Sequence, residues 1–291
     1  MRLMVADNLM MDGSFAVSAD LMQQVAGLAR QAGAAIMEVY RSGSAGETSK
    51  TDGSPLTLAD MAAHHIIVAG LAKLDPDIPV LSEEAADIAH AERAQWKKFW
   101  LVDPLDGTRE FIKRNGEFTV NIALIENGQP VMGVVYAPAL EVCYYAARGA
   151  GAFVQRGNSV AQAISVKSCA AGEPIKVVAS RSHSDARTEA LLKALGDHQC
   201  VSMGSSLKLC LVAEGAAHFY PRLGPTMEWD TAAAHAVVNA AGGKVFDLGG
   251  NELHYNKADL HNPEFFVLPG DAETVSALLK ICRSVANPAT V

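Results

Sequence analysis

Apolar residues recur at helical spacing early in the chain. After Ser18, a residue suited to cap a helix, Leu21, Val25, Leu28, Ala32, Ile36 and Val39 fall on one face and predict a first helix. The polar stretch SGSAGETSKTDGS (42–54) predicts a loop. A second helix is expected from Pro55, a residue favoured in a first helical turn, through PLTLADMAAHHIIVAGLAKL. His64 and His65 lie inside it, at least one facing solvent, and neither carries an evident role. IPVLSEE predicts a short strand ending on two glutamates, and KFWLVD a strand ending at Asp103. FTVNIALIEN, PVMGVVYAPA and EVCYYAARG read as consecutive strands of a meander.

A turn-rich zone from Gly157 to Pro174 follows, and the pattern then changes to alternation. IKVVAS, QCVSMG, AHFYPR and KVFDL read as strands. SDARTEALLKAL, SSLKLCLVAEG, TMEWDTAAAHAVVNAAGG and AETVSALLKICRSV read as helices covering a sheet. The expected fold class is therefore α/β, with an α+β N-terminal half and an α/β C-terminal half. Residues 1–17 read as a disordered extension, 18–170 as one subdomain and 171–291 as the second, with no long linker between them.

Composition narrows the function. With 291 residues, 49% of them hydrophobic, a sizeable core is available. The net charge of -8 excludes a basic footprint for nucleic acid, and no Lys/Arg run suggests a polybasic anchor. Five scattered cysteines without a C-x-x-C pair suit a reducing, cytoplasmic compartment. No stretch reaches the roughly 18 apolar residues of a membrane helix.

Acids gather where elements end: Asp60 in LTLAD, Glu83 and Glu84 in LSEE, Asp103 and Asp106 in DPLD, Asp230 in EWDTAAA. Singly, each reads as a solvated turn acid. Together, in apolar surroundings, they require a counter-charge, because buried unpaired charge is costly. Oxygen ligands without His or Cys favour Mg²⁺ or Mn²⁺ over Zn²⁺. WLVDPLDGTREF (100–111) admits two chemistries, an aspartyl nucleophile or a metal cradle with attacking water. Aspartyl-nucleophile phosphatases of the haloacid dehalogenase type carry D-x-D-G-T on a first strand. Here Pro104 and Leu105 both intervene, after two helices and a strand. An EF-hand loop opening at Asp106 would place Phe111 where glycine is needed. The cradle fits better. Pro104 holds Asp103 extended and ends the strand, the turn brings both aspartates together around the Leu105 carbonyl, and Gly107 permits close backbone approach. The N–H groups of Gly107 and Thr108 are suited to phosphate oxygens.

LSEE, WLVDPLDGTREFIKRNGEFTVNIALI and EWDTAAAHAVVNAAGG resemble the signature regions of the inositol monophosphatase superfamily of Mg²⁺-dependent, lithium-sensitive phosphatases. Within it, GEFTVNIALI, VVASRSHSD, GSSLKLCLVAEG and YPRLGPT resemble the CysQ family of 3′(2′),5′-bisphosphate nucleotidases, in order from about Leu21 to Phe266. The resemblance implies a layered αβαβα fold. It implies that Glu83, Asp103 and the Leu105 carbonyl hold one Mg²⁺, that Asp103, Asp106 and Asp230 hold a second, and that a third, weaker ion binds near Glu83 with Asp60 in its outer shell. It further implies that Asp60 and Thr108 polarise the attacking water, that Mn²⁺ substitutes and that Li⁺ inhibits. The chain departs from the pattern in its seventeen-residue extension and in Glu228, two before Asp230.

The implied substrate is adenosine 3′,5′-bisphosphate, hydrolysed to AMP and phosphate in sulfur assimilation, with the sulfated precursor as a second substrate. Its reacting phosphate would meet Glu83, Leu105, Asp106, Gly107, Thr108 and Asp230. Its far end would meet Ser180, Arg181 and His183 after one strand, Gly204, Ser205, Ser206 and Lys208 at a helix start, and Arg222. Monomer and homodimer both remain open, as does peripheral attachment at the cytoplasmic face of the inner membrane. The competing readings are an inositol or sugar monophosphatase, a non-catalytic metal-dependent nucleotide sensor and an aspartyl-phosphate enzyme.

Overall fold

The computed structural model describes residues 17–43, 48–49, 55–170, 172–179, 186–271, 275–276, 278 and 280–281. The extension expected over residues 1–17 lies outside them, Val17 excepted. Helix α1 (Ala19–Ser42) starts on Ser18, whose hydroxyl accepts from Leu21 N at 3.1 Å, and stops at Gly43 with φ 76°. Two-residue strands β1 (Thr48–Ser49) and β2 (Pro55–Leu56) pair antiparallel. Helix α2 (Leu58–Leu74) therefore begins after Pro55, which belongs to β2. The start is set by Thr57 in a capping box with Asp60, which satisfies backbone donors that Pro55 could not.

Strand β3 (Val80–Ser82) runs into a 3₁₀ turn, Glu83–Ala85, and a short helix α3 (His90–Arg93). Strand β4 (Lys98–Asp106) continues through DPLD rather than stopping at Asp103, with a register shift against the next strand between Asp103 and Asp106. Pro104 is accommodated there, where the ladder is interrupted. After α4 (Thr108–Ile112) come β5 (Thr119–Glu126), β6 (Gln129–Ala137), β7 (Val142–Ala147), β8 (Gly151–Arg156) and β9 (Gln162–Ile164). The seven strands β3 to β9 form one sheet in chain order, antiparallel except for β3 with β4. Strand β9 lies in the zone expected to be turns; it is a short, mostly exposed edge with little apolar signal.

The second half holds β10 (Ile175–Ala179), α5 (Ala186–Leu195), β11 (His198–Ser202), α6 (Leu207–Ala213), β12 (Tyr220–Arg222), α7 (Glu228–Ala240), β13 (Gly243–Asp247) and β14 (Phe265–Pro269). Its strands form two small sheets rather than one: β10 parallel to β11, and β12-β14-β13 antiparallel. A bridge between Val177 and Phe219 joins them, with Val178 N donating to Phe219 O at 2.7 Å. Helical backbone recurs at 275, 276, 278, 280 and 281.

Three apolar clusters mark the layers. Val25, Ile36, Ile67, Trp100, Val102 and Val134 pack α1 and α2 on one face of the large sheet. Phe99, Leu101, Val135, Val212, Val237 and Val267 fill the other face, with α6 and α7 between the two sheet systems. Val177, Leu191, Phe219, Phe266 and Leu278 bury the outer face of the small sheets under α5. The order is αβαβα. Alternate residues of β4 serve two cores, which is why KFWLV is apolar at nearly every position. Among the described residues no helix is long and apolar enough to cross a membrane.

Helix α7 is enclosed between the sheets, and one consequence is measurable. Its His235 is fully buried, with Nδ1 2.9 Å from the Tyr255 hydroxyl and no partner at Nε2. Burial, helped by Lys244, pushes its pKa down to about 3. The unfolded chain then takes the proton first. The stability at stake is whole above about pH 6.5 and is lost as pH falls toward 3. Chemical denaturation should show a loss of about 2 kcal/mol between pH 7 and pH 5, and His235→Gln should flatten that slope. A slope unchanged by the substitution would place the acid sensitivity elsewhere.

Candidate active site

Four aspartates each have one oxygen pinned by a backbone amide. Asp60 Oδ2 accepts from Thr57 N at 2.7 Å and from the Thr57 hydroxyl at 2.6 Å. Asp103 Oδ1 accepts from Leu105 N at 3.0 Å, inside the β4 irregularity. Asp106 Oδ2 accepts from Ser206 N at 2.6 Å, a donor one hundred residues away. Asp230 Oδ2 accepts from Met227 N at 2.9 Å, at the start of α7. Orientation is thus fixed by the main chain, whose reorganisation is slow and costly.

The Asp103 side chain is buried, and desolvation raises its pKa well above the carboxylate range; Glu83, Asp106 and Asp230 raise it further, and a hydrogen bond with Glu83 adds to this. Asp230 is raised by desolvation, then by Asp106 and Glu83. Asp106 is raised by desolvation, with Lys208 and the Ser206 amide working in the opposite direction. Four carboxylates from β4, the turn after β3 and the start of α7 thus repel one another in a low-dielectric site. Among the described residues no three side chains already close into a metal cage. The donor set nevertheless fits hard divalent cations: all ligands are oxygen, and added positive charge would reverse the repulsion.

Thr108 opens α4 beside this group. Its hydroxyl lies 3.4 Å from Asp60 Oδ1 and 3.4 Å from Leu105 O, two long contacts that leave it weakly committed. Gly107 precedes it with φ 90° and ψ 44°. A Cβ there would lie 2.1 Å from Ser205 Oγ, so the position admits only glycine.

Asp106 and Asp230 line a cavity of about 170 Å³ together with Gly107, Gly204, Lys208 and Arg222. Carboxylates (Asp106, Glu110, Glu117, Asp230) and cations (Lys208, Arg222) share its lining. Lys208 has its pKa lowered by desolvation against the pull of Asp106. Its ammonium sits 5.9 Å from the Tyr220 ring centre. Arg222 donates from one terminal nitrogen to Pro225 O at 2.9 Å, while its Nε is buried without a partner.

The expected site residues divide accordingly. Asp60, Glu83, Asp103, Leu105, Asp106, Gly107, Thr108 and Asp230 come together with Gly204, Lys208 and Arg222. Ser205 and Ser206 come there too, but their hydroxyls are already engaged. Ser205, in the left-handed region at φ 49°, donates to Asp106 O at 2.9 Å and lies 2.8 Å from Glu117 O. Ser206 Oγ donates to Asn121 Oδ1 at 2.7 Å and lies 2.8 Å from Thr119 Oγ1. They support Asp106 more directly than they face a ligand. Ser180, Arg181 and His183 lie outside the described residues.

Three supports were not anticipated. Thr57 pins Asp60, and the T-x-x-D spacing of a capping box could have revealed it. Thr119 and Asn121, the only polar pair in an apolar strand, approach Asp106 Oδ2 at 3.4 Å each and hold Ser206 against it. Their i, i+2 spacing was the available signal.

Comparison with known proteins gives a consistent result. The model of the inositol monophosphatase family matches residues 19–281. The 3′(2′),5′-bisphosphate nucleotidase CysQ of Salmonella typhimurium is 55% identical over 249 residues, covering 85% of this chain and 99% of that protein. The enzyme of the same name from Escherichia coli K12 is 53% identical with the same coverage. The crystal structure of CysQ from Bacteroides thetaiotaomicron aligns with TM-score 0.75 at 44% identity over 86% of this chain and 97% of that one. An IMPase from Thermotoga maritima aligns with TM-score 0.76 at 26% identity, covering 92% and 99%.

Proposed function

Since this chain belongs to the inositol monophosphatase family, we propose that it is a 3′(2′),5′-bisphosphate nucleotidase that hydrolyses the 3′-phosphate of adenosine 3′,5′-bisphosphate to AMP and phosphate, with the sulfated precursor as a second substrate. Relatives above 50% identity over most of the chain carry that activity in their names. The observation that carries the reading is the single cavity shared by Asp106 and Asp230 with Lys208 and Arg222. A substrate with two phosphates can meet both the carboxylates, through divalent ions, and the cations. An inositol monophosphate would leave the buried Arg222 Nε without a partner.

Residues 18–170 would supply most of the catalytic cradle and residues 171–291 the substrate wall, within a soluble cytoplasmic enzyme. Glu83, Asp103, Asp106, Asp230 and the Leu105 carbonyl would hold two or three Mg²⁺ ions, with Mn²⁺ as a substitute and Li⁺ as an inhibitor. Bound there, divalent ions supply the Lewis acidity that offsets charge building on the phosphoryl oxygens. The side chains do the rest. Thr108 donates its hydroxyl hydrogen to Asp60 Oδ1 and accepts a hydrogen bond from the attacking water with a free lone pair. The long 3.4 Å contact would tighten as substrate binds. Asp60, held by Thr57, keeps Thr108 in that rotamer. The water oxygen bonds to phosphorus as the ester P–O bond breaks; one water proton stays on the released phosphate, the other passes by way of solvent to the ribose 3′-oxygen, which leaves as a hydroxyl, and no enzyme ester forms. Gly107 and Thr108 N–H groups receive the phosphoryl oxygens. Lys208 and Arg222 Nε receive the 5′-phosphate.

Phosphate release from adenosine 3′,5′-bisphosphate and from inositol 1-phosphate, measured side by side with Mg²⁺, tests this. Two charge-assisted contacts predict a kcat/KM advantage of at least about a hundredfold for the nucleotide. A chelator should abolish both activities and Li⁺ should inhibit. Equal or better use of the inositol ester would overturn the substrate assignment, and activity indifferent to chelation would overturn the metal site.

A further inference from the structure

Two buried charges outside the catalytic set are held by one short segment. Glu228 is fully buried, two residues before Asp230. Its carboxylate accepts from Asn256 N at 2.6 Å, from Lys257 N at 3.0 Å and from Lys257 Nζ at 2.5 Å. Arg93 is 3% exposed and closes the segment that begins with Glu83. Its guanidinium donates to Ile88 O at 3.1 Å, Asn256 Oδ1 at 2.9 Å and Lys257 O at 3.2 Å. Asn256 Nδ2 returns a bond to Arg93 O at 2.6 Å. Asn256 has φ 71°, a conformation that asparagine and glycine tolerate best.

We propose that this clasp, Arg93–Asn256–Lys257–Glu228, is a positioning device that sets the separation of Glu83 from Asp230 and thereby the Mg²⁺ affinity of the site. The inference rests on the metal-dependent reading of the site. Glu83 and Asp230 stand on a turn and a helix that no ladder hydrogen bond joins directly. A path of hydrogen bonds and short chain segments does join them: from Glu83 along its turn to Ala86, whose O accepts from Ile88 N, then Arg93 to Ile88 O, Arg93 to Lys257 O, Lys257 N to Glu228, and two residues on to Asp230. Burying two charges is expensive unless both are saturated with donors and acceptors, as these are. Packing alone would have been served by apolar residues of the same size. Groups that orient metal ligands from behind characteristically change metal affinity rather than the chemical step.

The test is calorimetric titration of Mg²⁺ into the full-length protein, wild type, Glu228→Gln and Asn256→Gly, with melting curves and steady-state kinetics alongside. Asn256→Gly keeps the left-handed backbone while removing both side-chain bonds to Arg93. It carries the test should Glu228→Gln fail to fold. Both variants should bind Mg²⁺ about tenfold more weakly, while kcat and the nucleotide KM at saturating Mg²⁺ stay within about twofold of wild type. Lower melting temperatures with unchanged Mg²⁺ affinity would overturn the proposal and leave a purely structural role. Wild-type protein that binds Mg²⁺ yet prefers another phosphate ester, with the same weakening in the variants, supports the clasp and sinks only the substrate assignment. Wild-type protein that binds no Mg²⁺ overturns both.

Discussion

Asp103→Asn should abolish phosphate release and raise the melting temperature of the metal-free protein at the same time. Asp103 is 1% exposed and crowded by Glu83, Asp106 and Asp230. Its pKa in the folded state lies well above the usual carboxylate value, chiefly through desolvation. A carboxylate raised in this way is stabilising only while protonated. The contribution is whole below the unfolded pKa and is lost as pH rises through the folded one, so at neutral pH, above the unfolded pKa, the buried carboxyl costs the fold stability. Asparagine keeps the shape and can keep the bond from Leu105 N, but it carries no charge. Without metal, the variant should melt at least about 3 °C higher. Its turnover should fall by about a thousandfold or more, because the charge that the divalent ions need is gone. Thermal scans in chelator and phosphate release in Mg²⁺ read the two effects separately. Near wild-type turnover, or a lower melting temperature in chelator, would contradict this account.

Gly133→Ala should be the most damaging single methyl in the fold. Gly133 lies in the middle of β6 with the α7 backbone against it. A Cβ there would sit 2.0 Å from Ala233 O and 2.8 Å from Ala233 C, contacts no side-chain rotation can relieve. Helix α7 would have to lift from the sheet. The expected cost is about 3 kcal/mol or more, or roughly 6 °C in Tm for a chain of this size. Asp230 stands at the N-terminus of the displaced helix, so Mg²⁺ should also bind more weakly. Gly27→Ala is the control. Nothing lies within 4 Å of a Cβ at that position of α1, so alanine should stabilise slightly through helix propensity. Similar melting temperatures for the two variants would show that the close approach of α7 to β6 is not maintained in solution.

The two glycines also separate what sequence can and cannot disclose. Gly107 could be found from its setting, because D-P-L-D-G-T demands a turn next to ligands. Gly133 could not, because its partner is a helix one hundred residues later. The same distinction runs through the site. Asp60, Glu83, Asp103, Asp106 and Asp230 were legible as acids at the ends of apolar runs, in a spacing that disfavours an aspartyl nucleophile, whereas the Thr108 hydroxyl entered only through the family resemblance. Helix α2 starts at Leu58 and not at Pro55, since proline propensity is a weak signal beside a Thr57–Asp60 capping box. Strand β4 runs on past Asp103, because Pro104 breaks local ladder bonding without breaking the strand.

Local pattern by itself determined the α/β class, the meander, the helix carrying Asp230 and the oxygen-only chemistry of the carboxylates. These follow from period, polarity and short-range sterics, which a single segment contains. Only the tertiary structure decided that the C-terminal strands make two small joined sheets and that α7 is enclosed between sheet systems. It alone showed Asp106 pinned by Ser206 and the pair Asn256–Lys257 fastening Arg93 to Glu228. Each of these depends on which distant surfaces meet, and hydrogen bonds across one hundred or more residues leave no periodicity in the chain.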